Sequence, residues 1–144
     1  MEIVKLTSKS IDELHYIYEQ QFKNEAWTKK QVLDAFNNNA VSFFGAIENN
    51  QIVSFICIME TIDDINILDI ATLENFKNRG YAKSLLRYII SLRKQNQTVS
   101  LEVKAKNLPA INLYTLFGFE TLNVRKKYYK DNDDALCMFL IGEN

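Results

Sequence analysis

What this chain lacks sorts the possibilities before anything it contains. No stretch reaches the roughly 18 consecutive apolar residues of a membrane span, and the opening residues MEIVKLTSKS carry no apolar run of the kind that leads secreted chains. No signal peptide, no membrane partner and a cytoplasmic location are expected. An excess of one charge is missing too, since 17 Lys and Arg against 18 Asp and Glu leave a net charge of −1. A domain that gripped nucleic acid by neutralising phosphates would be clearly basic, so direct nucleic-acid binding is not expected. The two cysteines, Cys57 and Cys137, form no CxxC, have no nearby His and lie in predicted apolar strands. They read as reduced, buried thiols rather than a disulfide, a metal site or a nucleophile. The single histidine, His15, sits on a predicted helix with no Ser or Cys elbow to serve. No metal is expected, and neither a GxxxxGKS/T loop nor a GxGxxG fingerprint is present.

At 144 residues, 47% apolar and 24% charged, the chain suffices for one packed domain, 1–144. Glu2 to Leu6 read as a strand. Ser8 or Ser10 then caps a helix to about Phe22, with Ile11, Leu14, Ile17 and Tyr18 at helical spacing. Thr28 caps a second helix through Phe36, with Val32, Leu33 and Phe36 as its inner face. Between these helices Trp27 reads as a packing anchor, or as one wall of a substrate groove.

From Val41 the pattern takes the period of strands. Two of them flank Asn49-Asn50, residues that tolerate the positive φ of a tight primed turn, and a third runs over INILDIAT. Adjacent apolar residues such as Phe43 and Phe44, or Ile56 and Cys57, imply a sheet covered by helices on both faces, an α/β or α+β architecture. Two closing strands, Thr121 to Tyr129 and Ala135 to Ile141, flank the polar loop KDNDD. The basic run Arg125 to Lys127 and the acids Asp131, Asp133 and Asp134 read as solvated hairpin ends; with Tyr128 and Tyr129 they could instead border a peptide groove.

Two stretches carry chemistry. In ENFKNRGYAKSLLRYII a strand ending near Thr72 passes through a basic loop with Gly80 into a helix whose buried face is Ala82, Leu85, Leu86, Ile89 and Ile90. Unpaired N–H groups and the positive end of the helix dipole make this an anion site, although Gly80 could equally be a simple turn residue and Lys77, Arg79 and Lys83 a solvated face. In LEVKAKNLPAINLYTLFGFE a strand with Glu102 and Lys104 opposite Leu101 and Val103 turns into a helix. Asn107 caps it, Pro109 fits its first turn and Gly118 ends it. Tyr114 shares a face with Ala110, Leu113 and Phe117, so an acid and a phenol come near one crevice.

Together these units resemble the GNAT superfamily of acyl-CoA-dependent N-acetyltransferases, and within it the RimI type, which acetylates the N-terminal α-amine of a ribosomal protein. KNRGYA resembles the family's Q/R-x-x-G-x-G/A loop, LEVKAKNLPAINLY its LEVRxSNxxAIxLY segment, RKKYY with DALCM its closing strands, and AWT its PWS element. Lys77, Lys106 and Ala26 depart from that pattern. The resemblance implies a single GNAT domain with a mixed, mostly antiparallel sheet of six or seven strands flanked by about four helices. It implies acetyl-CoA as the acetyl donor and a protein N-terminus, that of a ribosomal protein included, as partner; a monomer is favoured.

By position, the resemblance gives Ile70, Ala71 and Thr72 to the pantetheine arm. Asn78, Arg79, Gly80, Tyr81, Ala82 and Lys83 would cradle the pyrophosphate, and Asn107 would also contact the cofactor. Glu102 would be the general base and Tyr114 the general acid, with Trp27, Tyr128 and Tyr129 toward the acceptor. An acetyltransferase of a small amine or lysine, or a non-catalytic acyl-CoA-binding module, are the alternative readings. An α-amine with a pKa of about 7.7 to 8.0 needs roughly 3 to 4 kcal/mol less to deprotonate than a lysine near 10.4. Glu102 would thus have a lighter task with an α-amine, and because an ordinary carboxylate is a poor base it would work through water, or with a basicity raised by partial burial.

Overall fold

Local signals place most elements of the computed structural model, which describes residues 1–141. The chain runs β1 (Glu2–Lys5), α1 (Ile11–Phe22), α2 (Lys29–Phe36), β2 (Val41–Glu48), β3 (Gln51–Glu60), β4 (Asp64–Thr72), α3 (Tyr81–Ser91), β5 (Thr98–Lys104), α4 (Leu108–Leu116), β6 (Glu120–Arg125) and β7 (Ala135–Leu140). At the start of α2, Thr28 Oγ1 accepts from the Gln31 N–H at 3.1 Å while Gln31 Oε1 accepts from the Thr28 N–H at 2.8 Å. This reciprocal capping box satisfies two otherwise orphaned donors. Asn49 and Asn50 take φ values of 50° and 62°, the pair of left-handed residues that a type I′ hairpin needs. Gly118, at φ 94°, turns the chain out of α4.

Two expectations are corrected. Leu33 is 42% exposed, and α2 buries Val32 and Ala35 instead. Three residues bring the helix face round again, whereas the neighbour of Val32 is carried about 100° away. Phe36 is half-buried, its ring 4.7 Å from that of Phe43. The strand expected through Tyr129 ends at Arg125, and positive φ at Lys127 and Asn132 turns the chain through a loop back to β7.

The seven strands lie in the order β1-β2-β3-β4-β5-β7-β6. All neighbours are antiparallel except β4 and β5. On one face α1 and α2 cover Phe43, Phe55 and Cys57; on the other α3 and α4 cover Phe44, Ile56, Ile67 and Leu101. Consecutive residues such as Phe43 and Phe44 thus serve different cores, as the unbroken apolar runs implied.

The decisive feature for function is where the parallel pair stops. β4 and β5 are in register from Asp64 opposite Thr98 to Ile67 opposite Leu101, and no further. Beyond that point β4 continues on β3 alone, and β5 on β7 alone. The register of β3 with β4 slips at the same place, because Cys57 faces Asp69 while Ile58 faces Ile67, leaving Leu68 as an extra residue. A bulge of this kind bends its strand and increases the twist. The sheet therefore parts into two leaves, and the gap between them opens toward the N-terminus of α3 and the corner leading into α4.

Candidate active site

The gap gives β4 a free edge. Leu73 donates its N–H to Val53 O at 2.9 Å, and with Ser54 opposite Thr72 this fixes which residues bond to β3. By the alternation of an antiparallel ladder, Ala71 and Asp69 turn their backbone groups toward β3. Ile70 and Thr72 turn theirs into the gap. Of the three strand residues singled out from sequence, the two outer ones thus offer an N–H and C=O to a ligand, while Ala71 holds the leaf together. Its carbonyl also accepts from Ser54 Oγ at 2.9 Å.

At the mouth of the gap lies the loop before α3. Asn78 has φ 63° and Gly80 φ 87°. Glycine is suited to that conformation, and a Cβ at Gly80 would meet only open space. No backbone N–H from Asn78 through Lys83 donates to an acceptor among the described residues. Consecutive free donors at the positive end of a helix form a cradle for phosphate oxygens. The side chains are secondary here: Arg79 lies over the Phe76 ring at 5.2 Å and Lys77 pairs with Glu74 at 3.4 Å. Asn107 Oδ1 accepts from the Ala110 N–H at 3.3 Å, so this side chain is engaged in capping α4.

Across the gap the features are side chains. Glu102 points to the face opposite Leu101 and Val103, and its Oε2 lies 2.7 Å from Arg125 Nε and 3.7 Å from the Cys137 thiol, which donates to it. Lys104, on the same face, lies 3.0 Å from Glu25 and 2.9 Å from Asp131, joining the α1–α2 connection to the β6–β7 loop. It also sits 5.2 Å from the centre of the Tyr129 ring, and Arg125 lies 5.4 Å from that of Tyr128. The two tyrosine rings meet edge to face at 5.2 Å. Burial, with the charge of Glu102 next, pushes the Tyr129 phenol up to about 12. Trp27 stacks on Tyr18 at 5.3 Å and meets Phe43 edge-on.

Tyr114 is only 4% exposed and packs its ring 5.6 Å from that of Phe119. Its hydroxyl has no hydrogen-bond partner among the described residues, yet is not sealed from solvent. Burial raises its phenol above the ordinary value, and the charge of Asp69 adds to the effect. The carboxylate that Tyr114 senses is thus Asp69, on β4, rather than Glu102.

Sequence reasoning missed three groups. Asp69 is bonded to Tyr18 of α1, and Arg125 is bonded to Glu102 rather than solvated. Asp133 is 6% exposed; its Oδ2 accepts from the Lys106 N–H at 3.1 Å and its Oδ1 from the Asp134 N–H at 2.9 Å. It pins the β6–β7 loop to the corner between β5 and α4. The single possible signal was an unusual density of acids beside a tyrosine pair. Two surface cavities, of about 250 and 330 Å³, lie elsewhere, beside α1 and between β1 and α2. Among the described residues no group of three or more His, Cys, Asp or Glu could hold a metal, both cysteines are free and buried, and no helix is long and apolar enough to cross a membrane.

Known proteins match this arrangement. The Acetyltransferase (GNAT) family profile covers residues 10–119. The chain is 28% identical over 130 residues to the ribosomal protein bS18-alanine N-acetyltransferase of Escherichia coli, covering 87% of each chain. An N-alpha-acetyltransferase of Saccharolobus solfataricus is 30% identical over 113 residues, 68% of each chain. The crystal structure of the Escherichia coli ribosomal-protein-S18-alanine N-acetyltransferase superposes with a TM-score of 0.89 at 25% identity, over 99% of this chain and 97% of that one. On the parted strands, the open α3 cradle and these matches, the chain belongs to the GNAT acetyltransferase family and is an acyltransferase of the N-acetyltransferase type.

Proposed function

We propose that residues 1–144 form one N-acetyltransferase domain that moves an acetyl group from acetyl-CoA to the N-terminal α-amine of a protein, with a ribosomal protein's N-terminus as the first candidate. The observation that carries this is the gap between β4 and β5, with free backbone donors at one end and Glu102 on its far wall. The residues fit a phosphopantetheine ligand. Asn78 to Lys83 would hold the pyrophosphate by their N–H groups, and Ile70 and Thr72 would hold the amide-bearing arm as an added strand would. Asn107, bonded to Ala110, would shape the corner the arm passes. Acetyl-CoA, once bound, supplies a thioester carbonyl open to attack by a neutral amine.

Glu102 is oriented by Arg125 and would draw the amine's proton through water. Tyr114, its hydroxyl unpartnered among the described residues, would donate to the departing sulfur. Tyr128, Tyr129 and Trp27 would border the acceptor's path. The α-amine is favoured over lysine because its lower pKa asks less of a carboxylate. The test is mass spectrometry of paired peptides, one with a free N-terminus and an internal lysine, the other with the N-terminus blocked. Acetylation confined to the free N-terminus is expected, and modification of lysine in both peptides would overturn the α-amine reading.

A further inference from the structure

Each cysteine stands directly opposite an acid on a neighbouring strand, Cys57 opposite Asp69 and Cys137 opposite Glu102, but their surroundings differ. Cys57 is packed into the apolar core beneath α1 and α2, whereas Cys137, only 6% exposed, belongs to neither apolar core. Its thiol donates instead to Glu102 Oε2 at 3.7 Å. Arg125 Nε reaches the same oxygen at 2.7 Å, so donors from β7 and β6 converge on Oε2, and Oε1 has no partner among the described residues. The two donors hold it differently. Arg125 is a long side chain on the edge strand, 55% exposed, with its guanidinium over the Tyr128 ring, so water screens its pull. Cys137 has a short side chain and stands on β7, which is flanked by β5 and β6. A thiol is a weak donor, but this one is buried, and a strand pair keeps facing side chains about 4.5 to 5.5 Å apart at Cβ.

We propose that Cys137 is a positioning residue that, with Arg125, keeps Oε2 of Glu102 engaged and leaves Oε1 as the oxygen that takes the acceptor's proton. This rests on the acetyl-transfer reading of the gap, in which Glu102 is the base. As the N–C bond forms and the C–S bond breaks, one proton passes from nitrogen through water to Oε1 and one passes from Tyr114 to sulfur. Glu102 then releases its proton to solvent and Tyr114 takes one back, so both groups end as they began. The reason for a second donor is geometric. A carboxylate turns easily about its last torsion, and a turn would present the oxygen whose lone pairs are already occupied. Arg125 alone could follow that turn on its long stem; a short, buried thiol could not. Misplacement by about 1 Å can cost on the order of a hundredfold in rate, so a weak bond that fixes a base matters more for turnover than for folding.

Cys137→Val and Cys137→Thr have nearly the same shape and differ by a hydroxyl, so their ratio reads the donated bond. The expected result is a kcat about threefold to tenfold lower in Cys137→Val, with KM for acetyl-CoA within about twofold, and recovery of most of that loss in Cys137→Thr. A filler role gives the reverse order, because a buried hydroxyl without a partner is the costlier replacement. Should both variants fail to fold, Cys137→Ala and Cys137→Ser make the same comparison at smaller volume. A second readout combines Cys137→Val with Glu102→Gln. A thiol that acts through Glu102 has nothing left to position there, so the residual kcat of Glu102→Gln should stay within about twofold when Cys137→Val is added. The same fractional loss in both backgrounds, or equal kcat in the valine and threonine variants, overturns the inference while leaving acetyl transfer intact. If the wild-type protein binds acetyl-CoA but acetylates no amine, the reading of the site fails and the inference with it.

Discussion

The two walls of the gap are made of different material. On the side we assign to the acetyl donor the proposed binding groups are backbone N–H donors from Asn78 through Lys83 and the free edge at Ile70 and Thr72. On the acceptor side they are side chains that hold one another, Glu102 against Arg125 and Lys104 between Glu25 and Asp131. A site built from backbone depends on conformation and tolerates changes of side chain. A site built from side chains depends on identity and charge, and can be retuned for a new acceptor without disturbing the fold.

The largest expected effects test the side-chain wall. Glu102→Gln and Tyr114→Phe should each lower kcat at least tenfold, toward the hundredfold or more typical of general acid–base groups, with KM for acetyl-CoA and the melting temperature little changed. Steady-state kinetics on a free-N-terminus peptide measures this. Wild-type turnover in both would remove the acid and phenol from the chemistry.

Next in size is an effect on stability. The Asp69 carboxyl lies at about 6 in the fold against an ordinary 3.8, so the folded chain binds this proton more tightly than the unfolded one does. Stability contributed by the protonated form is present below about pH 4 and is lost as pH rises through about 6. Asp69→Asn should therefore stabilise the protein at pH 7 to 8, by up to about 3 kcal/mol or several degrees of melting temperature, and give no gain near pH 4. A melting temperature unchanged at both pH values would show that Asp69 is not strained in its setting.

The donor wall is broken differently. Gly80→Ala puts a Cβ on a residue at φ 87°, which costs about 1 to 2 kcal/mol in that conformation. The cradle should loosen, raising KM for acetyl-CoA roughly fivefold to thirtyfold while KM for the peptide stays put. Should the peptide's KM move instead, the division between the walls is wrong.

That division also decides what could be read in advance. Gly80, Asn107, Gly118, the Asn49-Asn50 turn and the Thr28 capping box are local, fixed by φ or by a bond three residues away. The apolar runs announced a doubly covered sheet for the same reason. The parting of β4 from β5 depends on a bulge between strands, and the bond from Tyr18 to Asp69 spans 51 residues. Arg125 reaches Glu102 only because β7 inserts between β5 and β6. No periodicity encodes such pairings, and the one misplaced helical residue, Leu33, failed because α2 buries a narrower stripe than its apolar content suggested.

The smallest effect should come from Lys104, although it joins two loops. It bridges Glu25 and Asp131 and lies over Tyr129, which draws the two acceptor-side loops together beside Glu102. The carboxylates raise the Lys104 ammonium above its ordinary value. Glu25 and Asp131 are 41% and 55% exposed, however, so water screens the pairs and each is worth about 0.2 to 1 kcal/mol. Lys104→Met keeps the stem against Tyr129 and deletes the charge. Peptide KM should change by less than about fivefold, with kcat, acetyl-CoA KM and melting temperature nearly constant. Added salt should shrink the difference, because screening already weakens the wild-type bridges. A large loss of kcat would mean that this lysine acts on the field at Glu102 rather than on the spacing of the loops.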